Sequence, residues 1–203
     1  MGSAAVLLFV GARFFLPDVL CGLLAVSALE YFNGWIPLRG VAEMAQGRHS
    51  FPGHGFETGF KPDARGAVTV AMVLATKVIA LAALPPIWQP RAVLVLPVLG
   101  RSAQTLALIL SPQRLPDTHA GDPRIHRRRI RALFLSATLL LLLFLFPWRA
   151  AISALLLFGV VAVLGLRACN AWLHGLTLQT VSLLSEGAET SVLLLLVWMA
   201  RHF

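Results

Sequence analysis

Residues 139–146 read "LLLLLFLF". They sit inside an apolar segment over about 131–147 and form its most lipid-like part. A helix that is apolar all round is buried in a large core or in a bilayer. Composition decides between the two. The chain has 203 residues, is 58% hydrophobic and only 13% charged, with a mean hydropathy of +0.79. Soluble domains stay near half apolar. Working outward, further apolar segments run over 3–16, 18–35, 67–84, 92–111, 150–167 and 181–200. Several approach the roughly 20 residues that span a bilayer as a helix. Backbone groups in hydrocarbon must bond within their own segment, which selects helices. The expected fold is all-α: a polytopic transmembrane helical bundle of about six to seven spans, with residues 1–203 forming a single integral membrane domain. The first two segments are short and meet at Leu16-Pro17-Asp18, as a tight hairpin or one kinked element. Pro17 suits a helix start, where its missing N–H costs nothing. No cleavable signal peptide is expected, since the first apolar run lacks a basic leader and contains Arg13.

Charge sets the topology. Lys+Arg number 17 against 9 Asp+Glu, a net charge of +8. No aromatic-interleaved basic surface accompanies the excess, so nucleic acid is not an expected partner. The basic residues instead cluster in three loops, 36–66, 112–130 and 168–180, and their flanks. These hold Arg39, Arg48, Lys61, Arg65, Arg114, Arg124, Arg127, Arg128, Arg129, Arg131 and Arg167, whereas the opposite face holds Arg91, Arg149 and Arg201. The positive-inside rule makes the three loops cytoplasmic. The expectation is a multi-pass protein of a bacterial-type inner membrane, with the N-terminus cytoplasmic and the C-terminus outside. The lipid bilayer is its first partner, and "IHRRRIRALF" (125–134) suits an anchor on acidic lipid or a docking patch for another membrane-protein subunit. Cys21 and Cys169 lie in apolar segments and match no metal or redox spacing.

Several charges fall inside or at the edges of the apolar runs: Arg13, Glu30, Lys77, Arg101, Glu186 and Glu189. A charge at mid-membrane costs roughly 3 kcal/mol on insertion scales, so it pairs or faces a wet cavity. Glu186 and Glu189, at i, i+3, share one helix face and are expected to pair with Lys77 or Arg101 inside the bundle. A cavity open to the cytoplasm that accommodates anions is the functional alternative.

Three loop regions carry polar residues at regular spacing: "IPLRGVAEMAQG" (36–47) continuing to "FKPDARG" (60–66); "SPQRLPDTHAGDPRIHRRR" (111–129) after Arg101; and "HGLTLQTVSLLSEGAE" (174–189). As chemistry, they offer glycines for close approach, arginines for phosphate and carboxylates for a metal. His49, His54 and Glu57 lie in a glycine- and proline-rich loop with no helical register, a weak metal pattern.

Together these motifs resemble the cobalamin synthase family, adenosylcobinamide-GDP ribazoletransferase, over most of residues 20–200. The first family motif reads approximately L-D-G-L-A-D-T-x-D-G. Leu38, Gly40, Ala42 and Gly47 match it without a gap, while its three aspartates fall on Arg39, Glu43 and Gln46. A later D-S-R resembles Asp63, Ala64 and Arg65. A lysine in the next helix resembles Lys77 if four residues are missing, and a Ser-Arg resembles Gly100-Arg101. The last motif, about G-G-x-T-G-D-x-x-G-A-x-x-E-x-x-E, matches Gly175, Thr177, Glu186 and Glu189, with His174, Gln179 and Ser182 at its first glycine, its aspartate and a later glycine. The start of the chain looks one helix short of the family.

The resemblance implies a magnesium-dependent transferase of phosphotransferase type that joins ribazole or its phosphate to a GDP-activated corrinoid. It makes Arg39, Glu43, Gln46, Asp63 and Arg65 the catalytic-motif positions, and Lys77, Arg101, Gly175, Thr177, Gln179, Glu186 and Glu189 the substrate-binding candidates. Magnesium needs hard carboxylate oxygens. Of the four motif aspartates only one is replaced by an acid, so Glu43 is the sole metal-ligand candidate. The reading is therefore a degenerate metal site on a cobalamin-synthase-like fold: a non-catalytic subunit or scaffold of a membrane complex, with no cofactor assigned. The alternative is an active ribazoletransferase that uses magnesium. The first motif is expected to be a polar loop held shut, with Arg39 paired to Glu43 if the stretch is helical.

Overall fold

The computed structural model describes residues 2–47, 63–110, 138, 141–172 and 177–202. Among them every regular element is a helix: α1 (Gly2–Ala12), α2 (Asp18–Phe32), α3 (Ile36–Ala45), α4 (Ala64–Ala83), α5 (Trp88–Leu110), α6 (Trp148–Trp172) and α7 (Leu178–His202). A further helical stretch at 141–145 precedes α6 and ends before Pro147.

The boundaries follow local chemistry. Pro17, extended at ψ 153°, starts α2. Gly34, at φ +67°, ends it: its N–H reaches the Tyr31 carbonyl at 2.9 Å and the Trp35 N–H reaches back to the Glu30 carbonyl at 2.9 Å. That pair of bonds is the Schellman ending, which favours a residue without Cβ in the left-handed region. Trp35 follows at φ 59°, also left-handed, and Pro37 opens α3. The two successive left-handed residues turn the chain sharply, and α3 leaves α2 at 92°. Asp63 caps α4 by accepting the Gly66 N–H at 2.8 Å. Thr177 and Thr180 cap α7 reciprocally: each hydroxyl oxygen accepts the other's N–H, at 3.2 and 2.7 Å. This is a capping box with threonine at the third position.

Among the described residues three helices, α4, α6 and α7, are long and apolar enough to cross a membrane, and the bent α2–α3 pair makes a fourth if counted as one span. This is fewer than the six to seven expected. α1 has 11 residues and α2 has 15, both short of a full span. α5 matches the spans in length, with 23 residues, but includes Arg91 and Arg101, and most of the expected segment 131–147 lies outside the described residues. The loop boundaries also shift. Residues 36–45 are helix rather than polar loop, α4 begins at Ala64, residues 168–172 complete α6 and residues 178–180 already belong to α7. Loop 112–130 lies outside the described residues.

α7 is the central helix. It packs against α3, α4, α5 and α6, and half of its apolar window is buried, against 28% for α4 and for α6. Small residues permit the close approaches: Ala80, Ala92, Ala103, Ala150, Ala154 and Ala188 are all core residues. At the closest points glycine is required. A Cβ on Gly40 of α3 would collide with Ser182 of α7, and one on Gly100 of α5 would collide with the Glu189 carboxylate.

One end of the bundle is marked by aromatic and cationic side chains. Trp88 meets Phe146 edge-on, Arg91 donates to the Leu145 carbonyl at 2.8 Å, Arg13 pairs with Asp18 and donates to the Pro86 carbonyl, and Trp198 stacks on His202. Tryptophans and arginines at one level are the usual marks of a membrane–water boundary.

Candidate functional site

Two polar centres lie along α7, about two turns (roughly 10 Å) apart. The inner one is built on Lys77 of α4. Its Nζ lies 3.1 Å from Glu30 Oε1 of α2, and 2.7 Å from both Glu186 Oε2 and Glu189 Oε2 of α7. All four side chains are 8% exposed or less. An ammonium has three N–H donors and no acceptor; Lys77 donates to Glu30 Oε1 and Glu189 Oε2, and Glu186 Oε2 adds an ion-pair contact. The expected pairing of Lys77 with Glu186 and Glu189 is present. Glu30, foreseen only as a charge in an apolar run, completes it.

The same three carboxylates have ligand atoms within 4.8 Å of one another, close enough to share a metal ion. Lys77 Nζ, in contact with all three, stands where such an ion would sit. The centre is a structural ion cluster that joins α2, α4 and α7.

Arg101, expected to point inward beside Glu186 or Glu189, does not. It is exposed, donating to Gln104 Oε1 at 3.1 Å and to Asn33 Oδ1 at 3.3 Å. The cause is a rotation of one residue. Gly100 takes the position that faces Glu189, and the next residue, about 100° round the helix, points to the end of α2 instead.

The outer centre holds the first motif. α3 lies against α7 and α4, and its buried face carries Leu38, Gly40, Val41, Ala42 and Glu43. Arg39 Nε donates to Glu43 Oε1 at 2.9 Å, an i, i+4 pair. Gln179 Nε2 donates to Glu43 Oε2 at 2.9 Å. Both oxygens of the one acid that the motif retains are thus taken by protein donors, and Glu43 is only 4% exposed. Gln46 sits at the end of α3 over Gly66. Both polar atoms of its amide are buried without a partner among the described residues.

The other candidates divide between structure and solvent. Asp63 is the α4 cap and Thr177 the α7 cap. Arg65 is exposed on the first turn of α4. Gly175 and His174, like the His49, His54 and Glu57 loop, lie outside the described residues.

Magnesium, the metal implied by the resemblance, does not fit these residues. It takes several hard oxygens in near-octahedral order, whereas here one carboxylate is bonded by a guanidinium on one side and an amide on the other. A fixed cation at hydrogen-bond distance opposes a second one at the same acid.

The family model for cobalamin-5-phosphate synthase matches residues 1–197. The chain belongs to that family. No curated protein and no solved structure matches it. As a cobalamin synthase family member it is a helical membrane protein. The family relationship accounts for the order of its motifs: a first-motif glycine, Gly40, on α3, a lysine in α4, and Glu186 and Glu189 on α7 behind its Thr177 cap. What the sequence did not disclose is that Glu30 joins that run through Lys77. The signal available was an acid within an apolar segment, the same signal that pointed to Lys77.

Proposed function

We propose that this chain is a non-catalytic member of the cobalamin synthase family, a membrane scaffold or subunit in cobalamin synthesis. The observation that supports this reading is the double engagement of Glu43 by Arg39 and Gln179. Transfer to a GDP-activated corrinoid needs charge neutralised where it develops, and the motif that does so through a metal keeps a single acid, already neutralised by the protein. The ion cluster and the close-packed glycines support a fold maintained for a role other than turnover. The arginine distribution supports an orientation with the motif end in the cytoplasm of a bacterial-type cell.

The test is product formation by the purified protein in lipid, given magnesium, GDP-activated corrinoid and ribazole phosphate, beside a family member with an intact aspartate motif. The expected outcome is product from the control and none from this chain. Turnover comparable to the control would overturn the proposal and make Arg39 a phosphate-binding group in an active ribazoletransferase.

A further inference from the structure

The right-angle turn of α3 leaves a wedge between it and α4. The wedge is a groove of about 490 Å³ lined by Trp35, Leu38, Arg39 and Ala42 on one side and by Ala67, Val70, Ala71 and Leu74 on the other. Three features define what fits it. The lining is carbon, with Arg39 contributing its methylene stem, so the occupant is apolar along this length. Ala42, Ala67 and Ala71 set its width, since larger side chains there would fill it. Its α4 wall runs from the first turn of that helix towards the middle, seven residues or about 10 Å along the axis. That is a channel parallel to a span, entered from the end where the motif lies.

The surroundings identify the occupant. α4 is one of the membrane-crossing helices, and its exposed flank beside the groove carries Val68 and Met72, so the medium here is acyl chain. At the mouth stand Trp35, 44% exposed, and Arg39, whose side chain is 29% exposed and whose Nε is bonded to Glu43. Tryptophan and arginine are the pair that anchors at headgroup level. The first turn of α4 adds the exposed Arg65, and basic residues at a membrane surface are attracted to anionic lipid.

We propose that this groove binds one anionic glycerophospholipid, with an acyl chain between α3 and α4 and the phosphate beside Arg39. Such a lipid would wedge α3 in its turned-in position. The inference is independent of whether the chain turns over substrate.

The experiment is native mass spectrometry of the full-length protein, stripped in detergent and titrated with phosphatidylglycerol or phosphatidylcholine. Wild-type protein should retain one phosphatidylglycerol in preference to phosphatidylcholine. Ala71→Trp, which fills the groove, should weaken that binding about tenfold or more, and Arg39→Gln should bring the two lipids to parity. Leu156→Trp on the exposed face of α6 should change neither. Should Ala71→Trp fold poorly, brominated phosphatidylglycerol in phosphatidylcholine nanodiscs serves instead: it should quench wild-type emission more than that of Trp35→Phe. Equal retention of both lipids by wild type, undiminished binding by folded Ala71→Trp, or identical quenching of wild type and Trp35→Phe would each overturn the proposal.

Discussion

Lys77 shows how a single side chain ties three helices together. Its ammonium contacts carboxylates from α2 and α7 while being carried on α4. Removing one member of a buried ion group costs about 3–5 kcal/mol, because the charges left behind have no counter-ion. Lys77→Met strands three carboxylates and should lower the melting temperature in detergent more than Glu30→Gln, which removes one of three negative charges and keeps an acceptor oxygen; a scan that gave Lys77→Met the wild-type midpoint would refute the cluster. The pairing with Glu186 and Glu189 was legible because charges in apolar runs have few places to go. The direction of Arg101 was not, because one residue of rotation separates the face that meets Glu189 from the face that meets Asn33. Glu43 is the intermediate case. Its pairing with Arg39 follows from i, i+4 spacing once the stretch is helical, whereas Gln179, 136 residues away, is brought to its other oxygen only by the packing of α3 on α7.

At the scale of elements, apolar runs located α4, α6 and α7 within a few residues, since lipid leaves no alternative to helix. α3 was hidden for a physical reason. The polar positions Arg39, Glu43 and Gln46 gave the stretch the look of a loop, yet Gly34 and Gly47 are helix-ending glycines, at φ +67° and +69°, on either side of ten helical residues. Gly34→Ala places a Cβ in the left-handed region and should cost about 1 kcal/mol. If the α2–α3 turn holds the motif in place, a thiol introduced at position 39 should also label faster in that variant than in the Gly34 background. Thr177 makes a comparable prediction for α7. Thr177→Ala removes one half of the reciprocal cap and should lower stability by about 1 kcal/mol, seen as a depressed melting temperature, whereas Thr177→Ser should restore it. Loss of stability in both would show that the methyl group, not the cap, matters.

For the whole molecule, Trp88, Trp198, Arg13 and Arg91 mark one end of the helical bundle, the level at which tryptophan and arginine anchor a membrane protein. Cys21 and Cys169 are both buried, so a single introduced thiol reports topology cleanly. With Thr118→Cys, an impermeant maleimide should label only after the cell's inner membrane is opened; labelling in intact cells would reverse the orientation. The ion cluster also has a consequence for how the protein is made. Its members leave the ribosome in the order Glu30, Lys77, Glu186, Glu189. The first acid therefore enters the insertion machinery before its counter-ion exists, and the lysine waits for some hundred further residues before two of its three acceptors arrive. Until α7 is synthesised Lys77 has one of its three carboxylate partners, and the earlier helices lack the central helix against which α4 and α5 pack. Chains released before residue 178 should thus be cleared by membrane proteases faster than full-length ones in a pulse-chase, and Lys77→Met, which removes the cation that Glu30 waits for, should shorten the lifetime of the complete chain as well.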